Sequence, residues 1–359
     1  RVRIGEIDGS GLNEVVVSPF NTKGKFNKTL HFYKNNLGMK NPFYFENALA
    51  FLDVAYEWYH DASKGYLYLA LPQGKTPEGI SVEVPMIDTL VLLKGTPDSP
   101  VRNIEFHGIT FECSNWNNPS INGVNMTQAA QVIGGEQPPG MIIAKHTRKL
   151  AFRNNVFRKA GGQGISLFDA DSADIEGNRF NYIAANGVMI DRTGGSNPLE
   201  DKQSVDVALW NNHATKCGSH YTNGMFLFTE NVKGLIVEHN HIHDMPYSGM
   251  QIGQQPGSMR DVGAGENIIR FNHIHHCNQI HGDGGGIYTL GGIQKGTVIA
   301  SNYLHDITQP KWDHYAVSQI YLDNYSSRIT VRDNVVNGGS AQQRNSAKYN
   351  IFINNTQFN

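Results

Sequence analysis

One short pattern recurs along this chain and constrains its fold more than any other feature. Two apolar residues flank a third residue, and Asn follows two or three positions later, as in Leu150-Ala151-Phe152 before Asn155. Consecutive asparagines of the series lie 21 to 34 residues apart. A repeat of this length is typical of a solenoid, in which each repeat forms one coil. The asparagines of the series are Asn155, Asn178, Asn212, Asn240, Asn272, Asn302, Asn334 and Asn355.

Between these copies lies a second set of short apolar stretches, most of them opened by Gly, such as Gly187-Val188-Met189-Ile190 and Gly286-Ile287-Tyr288-Thr289. A strand with period-two alternation buries one face, so stacked coils build the interior that a single coil lacks. We therefore predict an all-β fold in which residues 101–359 form a right-handed parallel β-helix. A β-sandwich is the alternative, but its hairpins favour Asn-Gly or Asp-Gly turns that this sequence rarely places between strands.

Residues 1–100 lack the Asn period and indicate a different structure. The stretch from Glu57 to Leu69 alternates on both sides of Ala62-Ser63-Lys64-Gly65, as a β-hairpin does. A solenoid needs a cap, because its last coil otherwise leaves pairing groups and apolar surface open. We predict that residues 1–100 form a small β module packed on, or inserted into, the solenoid.

The composition of the chain indicates which classes of binding partner to expect. The chain has 359 residues, a net charge of -2 and 17% charged residues, which argues against nucleic acid, since that partner requires clustered Lys and Arg. No apolar run reaches the length of a membrane span, so we expect no membrane partner. The three cysteines are too few and too scattered to predict a disulfide framework. The chain begins with Arg1 rather than Met, so we expect a trimmed product that is secreted or periplasmic.

Two connections between coils are long, and both are rich in polar and aromatic residues. The connection from Asn302 to Gln319 contains Trp312, His314 and Tyr315. The connection from Asn272 to Gly286 contains His275, His281 and Asp283. Loops that lengthen on one side of adjacent coils usually build walls around a site. We predict that Trp312, His314, Tyr315, His275 and His281 contact a substrate there.

Asp283 and Asp323 are the candidate catalytic residues. Asp283 precedes three glycines that let the backbone bend sharply, and Asp323 ends Ile320-Tyr321-Leu322-Asp323 on the outward phase. Adjacent coils are about 4.8 Å apart, so carboxyls on neighbouring coils can reach the spacing used to cleave a glycosidic bond. The alternative is that each carboxylate only stabilises a turn. If they act as a pair, we assign Asp323 as the acid and Asp283 as the nucleophile or base.

Aromatic residues also fall on the outward phase of these strands. They are Phe226, Phe228, Tyr288 and Tyr321. Flat rings match the apolar face of a sugar, so we predict that these residues bind a carbohydrate substrate. A buried aromatic stack is the competing interpretation for any one of them.

Histidines follow several of the asparagines, with His243, His275 and His305 at matching positions of the repeat. A metal ion needs three or four ligands that converge on a point, whereas equivalent positions of stacked coils form a row. We therefore favour a structural row over a metal site and expect neither a metal nor another cofactor.

Four stretches carry a resemblance to a known family. They are Phe45 to Leu49 with Glu57-Trp58-Tyr59, Asn240 to Asp244, Gly282 to Gly291, and Ile320 to Asp323. They resemble right-handed β-helix glycoside hydrolases, and specifically glycoside hydrolase family 141, which includes α-L-fucosidases and xylanases of plant cell-wall degradation. The resemblance covers residues 44 to 337. It implies hydrolysis of a plant or microbial polysaccharide or oligosaccharide, with Asp283 and Asp323 as the catalytic pair.

The sequence departs from that family at Asn324-Tyr325, where relatives often carry an acid and Gly. Relatives also extend further before the segment that starts at Arg1, which implies a longer parent enzyme. A polysaccharide lyase is an alternative, but it needs a cation to neutralise a uronate, and the outward strand faces show few Lys or Arg. A carbohydrate-binding solenoid without turnover is the third interpretation.

Overall fold

A computed structural model describes residues 3–7, 15–18, 47–116, 124–125, 132–133, 137–191, 203–255, 259, 261, 263–313 and 315–358. The fold is a right-handed parallel β-helix, as the Asn repeat predicts. Each coil contributes strands to three parallel sheets, which we call sheets A, B and C in the order in which the chain visits them. Equivalent strands of successive coils pair in register, so residues at the same position of successive coils form a column within each sheet.

Sheet A contains the candidate catalytic residues and sheet B follows it. The long strand Gly140–Arg153 runs through both sheets. Sheet A consists otherwise of Val91–Lys94, Gln163–Asp171, Val188–Ile190, Leu227–Thr229, Met250–Gln255, Gly284–Gly291, Val317–Asp323 and Ala341–Gln343. Sheet B consists otherwise of Val101–His107, Asp174–Glu176, Ala208–Trp210, Ile236–Glu238, Ile268–Arg270, Val298–Ala300, Thr330–Arg332 and Ile351–Ile353. The short strands Ser204–Val205 and Val232–Lys233 pair between these two columns.

Sheet C closes each coil, and its described strands number nine. Every one of them follows a ladder Asn or the equivalent turn, so its start is fixed by the repeat. The strands are Thr110–Glu112, Val156–Ala160, Arg179–Ile183, His213–Cys217, His241–His243, His273–His275, Tyr303–His305, Val335–Asn337 and Thr356–Phe358.

The repeated asparagines form a continuous ladder at the turn between sheets B and C. Each side-chain amide donates to the next Asn Oδ1 at 2.9 to 3.1 Å, from Asn155 through to Asn355. The same Oδ1 atoms also accept the backbone N–H of the preceding ladder Asn. The left-handed backbone conformation falls on the residue before each Asn, for example Asn211 and Phe271, and not on the ladder residue itself. Asn is therefore required here for its amide.

The interior is filled by the inward apolar residues of all three sheets. Ile165, Val188, Leu227 and Ile287 of sheet A belong to the same buried cluster as the inward residues of sheets B and C. At one end of the solenoid aromatic rings continue the stack, with Phe157 and Phe180 centroids 4.8 Å apart. None of the three cysteines forms a disulfide, and Cys217 and Cys277 are buried thiols.

The first part of the chain contains a separate compact unit. Among the described residues, 47–84 form this unit, whereas those before residue 36 group with those from 85 onward. The predicted hairpin is confirmed, since Trp58–Asp61 pairs antiparallel with Tyr66–Leu69. Val91–Lys94 already pairs in parallel with Ile142 to Lys145, so the parallel pairing begins before the predicted boundary at 101.

The remaining described elements of the first 140 residues are short. Arg3–Ile7 pairs antiparallel with Val15–Ser18, and Val124–Asn125 with Val132–Ile133. Leu49–Phe51 is a single 3-10 turn. The described residues contain no helix that is both long and apolar enough to span a membrane.

Candidate active site

The two long connections lie side by side and form a wall, as predicted. The indole N–H of Trp312 donates to the backbone carbonyl of Ile280 at 2.9 Å, and Asp313 Oδ2 accepts the Gly282 N–H at 2.7 Å. Asp313 Oδ1 also accepts the backbone N–H of Tyr315. A Cβ on Gly282 would lie 2.4 Å from the Tyr315 carbonyl oxygen, so only glycine permits this contact. His314 lies outside the described residues.

Asp283 stands at the bend between this wall and sheet A. It adopts a left-handed backbone conformation with φ of 55°, and its side chain is partly exposed. The hydroxyl of Tyr247 donates to its backbone carbonyl at 2.6 Å. These features hold the bend and leave the Asp283 carboxyl at the edge of the sheet.

The glycines after Asp283 are needed for close packing and not for the bend. A Cβ on Gly284 would lie 2.5 Å from Ser248 Oγ, and one on Gly285 would lie 2.2 Å from the Ser318 carbonyl oxygen. Both residues lie within the strand Gly284–Gly291. The predicted sharp bend at the glycines is therefore wrong, because the left-handed residue is Asp283 itself.

Asp323 ends the next strand of sheet A, on the outward phase that the sequence predicted. Its side chain is buried, with 1% exposure. The Tyr288 hydroxyl donates to Asp323 Oδ2 at 2.7 Å, and the Asn345 amide donates to Oδ1 at 2.6 Å. Arg344, which is exposed, lies over the Tyr321 ring at 5.8 Å from its centroid. The Asp323 carboxyl is thus held between a buried phenol and an exposed amide.

The two carboxyls border one group of phenols, which we call the tyrosine cluster: Tyr247, Tyr288 and Tyr321. Ring centroids are 6.4 Å apart for Tyr247 and Tyr288 and 5.3 Å apart for Tyr288 and Tyr321. Burial raises the pKa of each phenol, and the charges of both Asp283 and Asp323 raise each pKa further. Asp323 pairs with Leu290, so Asp283 approaches the cluster from the opposite end of the strand Gly284–Gly291.

The outward aromatic residues are less open than predicted. Tyr288 is fully buried and Tyr321 is 2% exposed, so neither ring is an open platform for a sugar. Phe228 has the outward phase but is buried with Met189, Met225 and Tyr247. A second apolar layer therefore covers this part of sheet A.

Two predicted contact residues belong elsewhere. Phe226 packs in the interior, 5.4 Å from the Phe180 ring, because the regular strand begins only at Leu227. The alternation that places Phe226 and Phe228 on one face therefore does not hold. His275 is part of sheet C, where its ring stacks between His243 and His305. Its prediction as a substrate contact beside Asp283 is wrong, since the chain turns from sheet C to sheet A after it.

His281 is a neutral part of the wall. Its Nε2 lies 2.7 Å from Thr222 Oγ1, and burial lowers the pKa of His281 to about 4. Tyr315 lies close enough to Asp283 for that charge to raise its pKa, after burial as the larger cause. Trp312 and Tyr315 are partly exposed. His281, Trp312 and Tyr315 thus belong to the wall beside Asp283, and their contact with a substrate stays a prediction.

Several residues of the site carry no sequence signal. Tyr247 lies in a short turn of an earlier coil, whereas Arg344 and Asn345 lie in the coil that follows Asp323. Asp313 lies in a wall loop that the sequence identified, but its two structural hydrogen bonds depend on where Gly282 lies. Coil spacing alone does not predict such contacts.

Asp191 provides an internal comparison for Asp323. It follows Ile190, which aligns through Thr229, Ile252 and Thr289 with Leu322, so both acids hold the same position in their coils. Ser204 donates its N–H and its hydroxyl to Asp191. Burial nevertheless raises the pKa of Asp191 to about 7. Asp191 lies several coils away from Asp283, so it is not part of the pair.

Comparison with known proteins supports this architecture. A model described as "Right handed beta helix region" matches residues 98–259. A solved structure titled "Glycoside hydrolase" is similar over 86% of this chain, with 26% identity and a TM-score of 0.75. This chain covers 58% of that protein. The fold thus places the chain among β-helix proteins and close to a carbohydrate-active one.

Two further structures are more distant. Both are of PfbA, a surface adhesin of Streptococcus pneumoniae, at 14% and 13% identity with TM-scores of 0.38 and 0.34. The first match covers 73% of this chain and 70% of the adhesin chain, and the second covers 77% and 81%. A comparison with curated protein sequences found no match.

Proposed function

We propose that this protein is a glycoside hydrolase that cleaves a plant or microbial polysaccharide or oligosaccharide with Asp283 and Asp323. The observation that carries the proposal is the shared tyrosine cluster. The Tyr288 hydroxyl donates to Asp323 Oδ2 at 2.7 Å, and the Tyr247 hydroxyl donates to the backbone carbonyl of Asp283 at 2.6 Å. The Tyr247 and Tyr288 rings are 6.4 Å apart, although the two acids are 40 residues apart in sequence. Most glycoside hydrolases use a pair of carboxyls, one as acid and the other as nucleophile or base. The likeness to a solved glycoside hydrolase supports the same reaction class.

The hydrogen bonds favour roles opposite to those assigned from the sequence. The Asn345 amide nitrogen can only donate, so the Asp323 Oδ1 that it contacts acts as an acceptor. Tyr288 donates to the other oxygen. Two donors stabilise a carboxylate, which fits a nucleophile or a general base. Asp283, at the exposed edge beside Tyr315, is then the acid that protonates the leaving oxygen.

The proposed reaction requires Asn345 to give way. Asp323 is buried, but Asn345 and Arg344 above it are exposed. A sugar hydroxyl or a water that replaces the Asn345 amide would reach the carboxylate. Asp323 then attacks the anomeric carbon or removes a proton from water, while Asp283 transfers its proton to the departing oxygen. The carboxyl separation in the substrate complex would decide the stereochemistry, at roughly 5 to 5.5 Å for retention and roughly 6.5 to 9.5 Å for inversion.

The substrate class remains that implied by the family resemblance, an α-L-fucoside or a xyloside. Arg344 favours a second candidate reaction, lyase cleavage of a uronate-containing polymer, because it places a cation over the Tyr321 ring of the tyrosine cluster. A lyase product absorbs ultraviolet light through its new double bond, whereas a hydrolase product gains a reducing end without that absorbance. Recording both signals on the same polysaccharide panel separates the two reactions.

The test uses Asp283→Asn and Asp323→Asn, with Asp191→Asn as the matched control. Asp191 is buried at the equivalent coil position and makes comparable bonds, so its variant reports the cost of losing such a carboxyl alone. We expect hydrolysis of aryl fucosides or xylosides to fall at least about 100-fold in the two site variants. Asp191→Asn should retain activity in proportion to its folded fraction. Equal activity in all three variants would reject the pair.

Two further variants separate the roles. Asp283→Ala should keep activity on aryl glycosides with acidic leaving groups, since these need no proton, and should lose it on unactivated oligosaccharides. Asp323→Ala should be inactive on both, and added azide should restore turnover on the aryl glycoside. The reverse result would restore the assignment made from the sequence.

A further inference from the structure

Sheet C carries six histidines on its outer surface, in two rows that we call the histidine array. One row contains His213, His241 and His273, which pair with one another in register. The other contains His243, His275 and His305. All six residues are half-buried. The array belongs to a different sheet from the candidate catalytic residues.

The predicted structural row is present. His241 stacks on His273 at 4.8 Å with planes 3° apart, and His243 stacks on His275 at 4.9 Å. Stacking within a row, however, leaves the ring nitrogens of the two rows facing each other. The Nε2 atoms of His213 and His243 are 3.0 Å apart, and those of His241 and His275 are 2.8 Å apart. The third such pair, His273 with His305, is also 2.8 Å apart.

These gaps match the spacing of metal ligands. Two imidazole nitrogens bound to one ion at about 2.05 Å lie about 2.9 Å apart at a right angle and about 3.3 Å apart in a tetrahedron. The ligand atoms of His213, His241 and His243 all lie within 4.8 Å of one another. The two rows therefore converge on points between them, which a single row does not do.

The second ring nitrogen of His243 supports the same conclusion. Its Nδ1 lies 2.9 Å from Asp244 Oδ2, so the ring donates Nδ1–H to the carboxylate and presents the Nε2 lone pair to His213. A carboxylate that orients the non-ligating nitrogen is the usual support of a metal-bound histidine.

We propose that the histidine array binds one divalent first-row transition-metal ion, such as Ni²⁺, Cu²⁺ or Zn²⁺, through His213, His241 and His243, with Asp244 orienting His243. A second trio, His241, His273 and His275, shares His241 and cannot be filled at the same time. The first trio is favoured because the ring of His275 has no carboxylate partner of this kind and faces His276 instead. An ion at this site joins adjacent coils, since His213 and His241 lie on successive strands of sheet C.

The test is titration of the purified chain, made without a polyhistidine tag, with Ni²⁺ and Zn²⁺ at neutral pH by calorimetry. We expect saturation at one ion per chain and a higher unfolding midpoint in the presence of the metal. His241→Phe keeps a stacked ring but supplies no lone pair, and it should weaken binding at least 100-fold. His239→Phe is the matched control, because His239 is an exposed ring stacked on Phe271 outside the array. It should bind as the unmodified chain does.

Two more variants keep the result interpretable if His241→Phe folds poorly. His213→Phe changes the ring at the end of its row and should also abolish tight binding. Asp244→Asn should weaken binding by about 10- to 100-fold, as loss of an orienting carboxylate usually does. A purely structural array predicts no saturable binding and no shift in the midpoint. Either that result, or His241→Phe and His213→Phe that bind as tightly as the unmodified chain, would overturn the proposal.

Discussion

Removal of one central amide from the Asn ladder tests the physical basis of the fold. Asn240 is buried, and its Oδ1 accepts both the backbone N–H and the side-chain amide of Asn212 at 3.0 Å. Its Nδ2 donates to the Leu209 carbonyl and to Asn272 Oδ1. Asn240→Ala therefore removes the partners of buried groups in the coils on both sides. We expect a large loss of stability from this single substitution.

The magnitude follows from the groups left without a partner. Each buried polar group that loses its only hydrogen bond costs about 1 to 3 kcal/mol. The Asn212 N–H loses its acceptor, and the Asn212 amide keeps only its bond to the Ile175 carbonyl. With two groups affected, we expect the free energy of unfolding to fall by about 2 to 6 kcal/mol. That is a large part of the roughly 5 to 15 kcal/mol that holds a folded chain together.

The assay is equilibrium unfolding in urea, with two variants for comparison. Asn337→Ala, on an exposed strand position of sheet C, should change stability by less than about 0.5 kcal/mol. Asn355→Ala removes the last rung, which has a ladder partner on one side only, and should cost less than Asn240→Ala. If Asn240→Ala costs no more than Asn337→Ala, the ladder does not stabilise the coils and the reasoning is wrong.

Three more predictions concern sheet A. Tyr288→Phe removes the hydroxyl that donates to Asp323 and keeps the ring, so kcat/KM on an aryl glycoside should fall about 10- to 100-fold. Tyr349→Phe, at an exposed site, is the control and should leave kcat/KM unchanged. Gly285→Ala should cost about 1 to 3 kcal/mol in urea unfolding, because its Cβ would press on the Ser318 carbonyl and force apart the strands that carry the two acids. Asp191, with its pKa raised from 3.8 to about 7, binds a proton more tightly when folded. Its contribution to the free energy of unfolding therefore becomes unfavourable as pH rises from about 4 to about 7, by up to about 4 kcal/mol. Asp191→Asn should make the free energy of unfolding less dependent on pH over that range. An unchanged pH profile would contradict this raised pKa.

The sequence predicts the solenoid well because each coil carries one ladder Asn, and this residue has no role other than to join adjacent coils. An amide buried at a fixed spacing, as at Asn240 and Asn272, must find its partner in the next coil. The phase of Tyr321 and Asp323 follows from simple alternation within a regular strand. The contact between the wall loops follows from their length and from the stacking of adjacent coils. Each of these features depends on residues that are close in sequence or one repeat apart.

The remaining features depend on where irregular segments return. Tyr247 closes over Tyr288 from a turn, and Asn345 reaches Asp323 from the following coil. These contacts bury the rings that alternation alone predicts to be exposed. Phe226 fails for a related reason, since alternation has meaning only inside a strand and the strand starts one residue later. The left-handed conformation of Asp283 is equally hard to predict, because the glycines that follow it are the residues expected to adopt that conformation.

Coil stacking explains how one solenoid presents two different kinds of side-chain cluster. In sheet C, identical residues recur at one position of each coil, and stacking turns them into rows whose nitrogens face across a narrow gap. In sheet A, each acid occurs once, and each borders the tyrosine cluster through a different contact, Asp323 with the Tyr288 hydroxyl and Asp283 with the Tyr247 hydroxyl. Repetition therefore favours a binding array, whereas catalysis needs the coils to differ. The two proposals are independent: phenylalanine at position 241 should leave hydrolysis unchanged, and asparagine at position 283 should leave metal binding unchanged.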